Sequence, residues 1–382
     1  MYHLPALLQV PGKTLASRIT SWQVRVADSD RQLTENQREI DDIAFRLYGI
    51  DGEDRRAMED GSGLKAEPAE VAEAEDNELG DDAGPAVEGK PLTAALLSYM
   101  MGCVVGRWDV RFATGERPTP ELPDPFDPLP VCSPGMLQGD DGLPLRHSPE
   151  GYCLRIDWDG ILVDAPDHPD DIIRRVRDVL ELIWKDRADA IEKEACEILG
   201  VAELRDYFRK PGPGGFWDDH VKRYSKSRRK APICWLLQSS KKNYALWIYY
   251  HRLDKDILFK ALLNYVEPKI RLVLGQWSSV LGQIQQAKDQ GQRTKDLKKL
   301  EKEAERLESF LTELRDFEDK LRRAANLHLD PDLNDGVVLN IAPLRELVPW
   351  KEAKSYWDDL MDGKYEWSSI GKQLREKGQV RC

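Results

Sequence analysis

A chain of 382 residues, 41% hydrophobic and 32% charged, is long enough for two or three domains with a real core. Its formal net charge of −12 argues against nucleic acid when taken whole. The charge is uneven, however: residues 51–90 hold 14 Asp/Glu and 4 Lys/Arg, a local −10 that leaves only −2 for the other 342 residues.

Residues 1–50 are expected to form an N-terminal helical segment. The pattern predicts a helix over 12–48, with Thr34 and Gln37 in the form of a capping box. Ile40, Ile43, Ala44 and Leu47 lie on one face, and Gly49 is the stop. Residues 51–90 are acidic and low in aromatics, too polar to offset chain entropy by burial, and read as a disordered linker. Order returns in a mixed α/β domain over 91–254. A helix from Thr93 to about Val105 places Gly102 and Gly106 on one face, where another backbone can come close. Prolines 118, 120, 123, 125, 128, 130 and 134 then predict an extended segment wrapped over a folded surface.

Residues 153–164 (CLRIDWDGILVD) alternate around Asp159-Gly160, a hairpin signal. A single helix is predicted next, with Pro169 at its first position, Asp170 and Asp171 at its positive end and Gly200 as its stop. Pro211 to Gly215 form a turn. Two strand-like runs, 233–238 and 244–251, flank the polar SSKKN and predict a β-hairpin. Over 255–329, two apolar stripes at spacings of three and four residues, interrupted at Gly291, predict a long antiparallel helical hairpin. Residues 330–382 read as a C-terminal tail packed on the body, with Trp350, Trp357 and Trp367 as anchors. The fold class is therefore α+β, predominantly helical.

Catalytic signatures are missing. The sequence has no glycine-rich cofactor loop after a strand, no Asx-Pro-Pro-aromatic motif, no phosphate loop, no H-E-x-x-H and no G-x-S-x-G. Forcing Asp167, Glu352 and Lys354 into a nuclease pattern puts them in helix or loop. The six cysteines include no C-x-x-C pair, which argues against zinc and a disulfide framework and suits free thiols in a reducing, cytoplasmic setting. No run approaches the roughly 18 apolar residues of a membrane span, and the start MYHLPALLQVPGK lacks the features of a secretion signal.

One stretch carries a candidate site. Lys222, Arg223, Tyr224, Lys226, Arg228, Arg229 and Lys230 cluster just before a strand, inside a region (209–230) with eight Lys/Arg against two Asp. Cations on a loop held by a sheet suit a phosphate backbone, and Arg can read guanine edges. Pairing with the chain's own acids and docking to a protein are the competing readings.

These residues resemble a known family. RYSKSRRKAPICWLLQSS (223–240), YALWIYYHRL and VEPKI are similar to part of the large adenine-specific DNA methyltransferases of the type IIG restriction–modification class, and of the PglX-like enzymes of BREX and DISARM phage defence. EIDDIAFRLYGI, LLSYMMGCVVGRWDVR, PDPFDPLPVCSPGML, LRDYFRKP and LNDGVVLNIAPLRELV agree in order. The resemblance implies that the chain corresponds to the C-terminal target-recognition and spacer region, so that 91–254 is a recognition domain for double-stranded DNA. It implies that catalysis and S-adenosylmethionine belong to a partner catalytic domain, subunit or other defence protein, with no cofactor on this chain. A non-catalytic interaction module and an inactive remnant of a truncated gene are the alternatives.

Overall fold

A computed structural model of the chain describes residues 4–50, 52–61, 89–119, 124, 126–128, 130–226, 229–290 and 294–380. The chain divides into two compact units, Ala6–Leu92 and Met1–Pro5 with Thr93–Cys382.

The first unit is built on helices α1 (Leu15–Tyr48) and α2 (Gly52–Gly61). The capping box sits at Thr14 and Ser17, each side chain accepting the other's amide at 3.0 and 3.1 Å, and not at Thr34. Thr34 lies mid-helix, where every amide is already paired, and its hydroxyl instead donates to the Asp30 carbonyl at 2.8 Å. Gly49 ends α1 with φ 65°. The expected linker therefore opens with a helix. Arg55 of α2 pairs with Asp42 at 2.5 Å and stacks over Phe45, and Glu53 and Asp54 suit the positive helix start. Residues 62–88 lie outside the described residues.

The second unit follows, in chain order, as α3 (Gly89–Val104, which begins in the first unit), α4 (Arg111–Thr114), β1 (Ile161–Val163), α5 (Ile172–Trp184), α6 (Ala188–Leu199), α7 (Leu204–Arg209) and α8 (Phe216–Arg223). Next come β2 (Ser225–Lys226), β3 (Arg229–Lys230), β4 (Cys234–Gln238) and β5 (Ala245–Tyr249). The remainder is α9 (Ile257–Ala261), a π-helical turn at Leu262–Val266, α10 (Glu267–Asp289), α11 (Thr294–Ala325), α12 (Val337–Ile341), α13 (Lys351–Met361) and α14 (Ser369–Glu376). The class is α+β and mostly helical, as expected.

The predicted hairpin is the centre of a three-stranded antiparallel sheet of order β1-β5-β4, with Trp235 opposite Ile248 and Leu237 opposite Leu246. Every residue of β4 and β5 is buried, which explains an unbroken apolar run in place of alternation. The hairpin tip is polar, and its donors converge on Glu313 of α11, itself buried. Glu313 Oε1 accepts from Ser239 Oγ (2.5 Å), Lys241 N (2.8 Å) and Asn243 N (3.2 Å), and Oε2 from Asn243 Nδ2 (2.7 Å).

Residues 153–164 do not form the expected hairpin. Asp159-Gly160 does turn the chain, with Gly160 N donating to Asp157 O at 3.1 Å, but only Ile161–Val163 enter the sheet, paired with β5. The preceding stretch uses its hydrogen bonds on α3: Asp157 N donates to Val104 O at 3.1 Å. The helix predicted from Pro169 to Gly200 is two helices. Its N-cap is Asp171, whose carboxylate accepts Arg174 N and also holds Ala165 N and Arg205, which moves the start beyond Pro169. The chain breaks at Lys185 (φ 51°), and α6 folds back so that Arg177 and Glu192 pair at 2.7 Å.

The helical hairpin forms as expected. Lys288 reaches Glu301 at its linked end (3.8 Å) and Glu267 reaches Arg322 at the other (3.0 Å), which fixes the antiparallel sense. Gly291 lies outside the described residues. Gly102 admits the Trp108 indole, which lies 2.3 Å from where a Cβ would stand, so a side chain rather than a second backbone exploits the small residue. Trp350 and Trp357 are buried anchors, but Trp367 is 62% exposed. Ile370 and Leu374 of α14, and not Trp367, join the cluster with Leu339, Trp357 and Leu360.

Two outcomes test this packing. Glu313→Ala strips four donors of their acceptor and should destabilise the protein by about 3 kcal/mol in denaturant titration, while Glu308→Ala on the exposed face of the same helix should change little. Asp157 is pushed up to about 7 by burial and by Asp170 and Asp159, against Arg155 and Arg175. A raised carboxyl makes the folded state bind more protons than the unfolded state between about pH 4 and 7, so its contribution to stability falls as pH rises through that window. Asp157→Asn should therefore raise Tm at pH 8 and leave it nearly unchanged at pH 4.

Candidate nucleic-acid interface

The basic stretch is held by a column of rings. Gly215 caps α8 without a side chain because a Cβ there would lie 2.1 Å from the Lys210 carbonyl oxygen. Phe216 then packs edge-on to Trp247 of β5 (5.1 Å), stacks on His220 (5.4 Å), and His220 meets Tyr224 at 4.7 Å. Spacing of three to four residues along α8 makes this column possible. His220 is buried, and its Nε2 accepts Cys234 N at 2.9 Å, locking the end of α8 to the start of β4. Burial, with Arg223 and Arg107 adding to it, pushes this imidazole down to about 3, so it is neutral with its proton on Nδ1.

Beyond Tyr224 the chain forms a two-stranded antiparallel ribbon, β2 against β3, with Ser225 opposite Lys230 and Lys226 opposite Arg229. Ala231 N closes its base on Tyr224 O at 3.1 Å, and Ser225 Oγ donates to Val221 O. The seven sequence-derived candidates separate at this point. Tyr224 turns inward: burial raises its phenol above the usual value, and its ring completes the column. Lys222 and Arg223 lie exposed on the last turn of α8, with Lys222 paired to Asp218 at 3.0 Å. Lys230 pairs with Glu352 of α13, both partners about two-fifths exposed. Lys226 and Arg229 occupy the ribbon strands. Arg228 lies outside the described residues.

Sequence reasoning passed over two arginines that the structure holds against aromatic rings. Arg107, at the end of α3, donates from Nη1 to Tyr249 Oη at 3.4 Å and stacks over Trp108 at 5.0 Å. It acts electrostatically on Tyr224 and on His251. Arg252 lies 4.5 Å over Trp158 and donates to Leu145 O at 3.1 Å. The two arginines stand in separate segments, GRWDV and YYHRL, and nothing in their local pattern joins them.

Other charges are spent internally. Arg205 bridges Asp164 and Asp171, the latter at 2.8 Å from both nitrogens, and Arg209 completes the network on Asp164. Arg111 and Arg117 share the fully buried Asp109 at 2.8 and 3.0 Å. Among the described residues no group of three or more His, Cys, Asp and Glu is placed to hold a metal, and no helix is long and apolar enough to cross a membrane.

No protein-family model matches the chain. It is distantly homologous to two adenine-specific methyltransferases. It is 28% identical over 270 residues to the adenine-specific methyltransferase BrxX of Escherichia coli O9:H4 (strain HS), covering 66% of this chain and 20% of that protein. It is 24% identical over 341 residues to the adenine-specific methyltransferase PglX of Lacticaseibacillus casei (strain Zhang), covering 86% of this chain and 24% of that protein. The chain thus spans about a fifth to a quarter of the length of these relatives.

The neutral His220 carries a check on the column. Its ring nitrogens, followed by NMR from pH 5 to 8, should stay in the Nδ1-protonated form without titrating, whereas an imidazole free in solvent titrates near 6.5. A titration in that range would mean that the bond to Cys234 N is not made.

Proposed function

We propose that this chain is the DNA-contacting, target-recognition portion of an adenine-specific methyltransferase of the BREX phage-defence type. The reading is carried by one observation: a basic two-stranded ribbon is held on a column of packed rings rooted in the buried sheet, in a chain homologous to adenine-specific methyltransferases. A short β-ribbon fits the major groove, and lysine and arginine on it neutralise phosphates with release of counterions. Cys234, locked through His220, fixes the angle at which the ribbon leaves the sheet. Methyl transfer from S-adenosylmethionine belongs, in this reading, to a catalytic domain or partner, because this sequence has neither the cofactor loop nor the Asx-Pro-Pro-aromatic motif.

A second reading is a protein-docking module of the same defence assembly. The observation favouring it is the apolar face of α1, where Leu33 (65%), Ile40 (58%) and Leu47 (79%) are exposed. The internal pairing of Lys222 and Lys230 points the same way.

Duplex binding across a salt series separates the two. The wild-type chain should bind with a steep salt dependence. Arg228→Ala/Arg229→Ala/Lys230→Ala should bind more weakly, with a log–log slope shallower by roughly 0.9 for each phosphate that the variant no longer neutralises. Equal binding by both forms, or none by either, would remove the ribbon from DNA recognition and leave the docking reading.

A further inference from the structure

Of the 34 residues of α1 only Leu15 is buried, and every residue over 27–40 is exposed, whichever face of the helix it occupies. Protein helices draw most of their stability from packing an apolar face, and a stretch of about 21 Å with no neighbour is marginal in water. α1 does carry such a face. Ile19, Val26, Leu33, Ile40 and Leu47 recur at every seventh residue. A strict seven-residue repeat drifts around a straight helix and stays on one line only when two helices wind about each other in a left-handed coil.

The rest of the first unit leaves this seam open. Arg55 of α2 pairs with Asp42 and stacks over Phe45, which stand two and five residues beyond Ile40 and so on the far side of α1. The pair Asp28 and Arg31 occupies the same far side one and a half to two heptads earlier. Leu33, Ile40, Ile43 and Leu47 remain exposed.

The seam also states what it fits. Between the apolar positions stand Ser29, Asn36 and Ile43. An antiparallel partner would set each apolar layer against one of these, burying Leu33 and its neighbours on Ser29 and Asn36. A parallel copy in the same register sets apolar on apolar throughout. It brings Asn36 opposite its own counterpart, where two amides can pair, the usual device for fixing register. Ser29 needs nothing there, because its hydroxyl already donates to the Arg25 carbonyl at 3.0 Å. The flanking charges agree. In a parallel coil the residue before each apolar position faces the one five further on in the partner helix. Arg25 then faces Asp30, Gln32 faces Gln37 and Glu39 faces Ala44, with no like charges opposed. Neither Arg25 nor Asp30 forms an ion pair among the described residues, and Arg25 rests over Trp22 at 5.4 Å.

We infer that α1 pairs with α1 of a second copy of this chain, as a parallel, in-register, two-stranded coiled coil over residues 26–47. The inference names the occupant of the α1 face and does not rest on the DNA reading.

Sedimentation equilibrium of the full chain should show its mass rising with concentration from one chain to two. Leu33→Glu/Ile40→Glu changes side chains that are exposed in the single chain, and it should stay monomeric. Arg25→Glu and Asp30→Arg should each weaken pairing severalfold alone, and an equal mixture of the two should recover it, since each supplies the charge that the other lacks. Ser29→Cys should give a disulfide-linked dimer on mild oxidation where the wild type gives none, because a parallel seam sets position 29 against its counterpart. A wild type that is monomeric at every concentration overturns the inference, and α1 amides then protected from hydrogen exchange would identify another segment of the same chain as the occupant. A dimer that survives Leu33→Glu/Ile40→Glu associates elsewhere and overturns the seam. A dimer abolished by that variant, yet neither cross-linked through Ser29→Cys nor recovered in the charge mixture, overturns the parallel register.

Discussion

The carboxylate of Glu313 is the contact on which the second unit turns. The strands of the β4–β5 hairpin are buried while Ser240 to Asn243 at its tip are exposed, and the donors at this boundary share one buried carboxylate as their acceptor. Glu313, projecting from the middle of α11, takes the hydroxyl of Ser239, the amides of Lys241 and Asn243, and the Asn243 side chain. One side chain thereby ties the sheet to the helical hairpin. With β4 and β5 fixed, β1 can add to the free edge, and Phe208, Phe216 and Trp217 can pack on Trp247.

That frame explains how a basic segment can project from an acidic protein. The rings of Trp247, Phe216, His220 and Tyr224 carry rigidity from the sheet outward to the root of the β2–β3 ribbon. The column costs little in charge because His220 is neutral and buried, and its acceptor nitrogen satisfies the first amide of β4. Net charge says little about such a surface. Arg111, Arg117, Arg177, Arg205 and Arg209 are paired with Asp109, Asp164, Asp171 and Glu192, and only geometry shows which cations are used in this way.

The same distinction separates the homology from the chemistry. Distant similarity to adenine-specific methyltransferases gives the chain a context, and it covers only a fifth to a quarter of their length. The sequence carries neither the glycine-rich cofactor loop nor the Asx-Pro-Pro-aromatic motif.

Much of the fold is legible in the sequence. The β4–β5 hairpin, the long helical hairpin, the Gly49 and Gly200 stops and the location of the basic stretch all follow from local pattern, because periodicity and turn chemistry act over a few residues. The departures share a cause. Thr34 has the form of a cap but lies where a helix nucleated at Thr14 leaves no free amide. The Asp159-Gly160 turn forms, yet no strand precedes it because Asp157 spends its amide on α3. The single helix expected over 169–199 breaks because a turn at Lys185 lets α6 pack back on α5. Trp367 stays exposed, and it is Ile370 and Leu374 of α14 that pack with Trp357. Local propensity determined which elements form. Tertiary packing decided where they start, which charges are cancelled, and that Arg107 reaches Tyr249, 142 residues away in the chain, because burial and pairing depend on neighbours that the order of residues does not reveal.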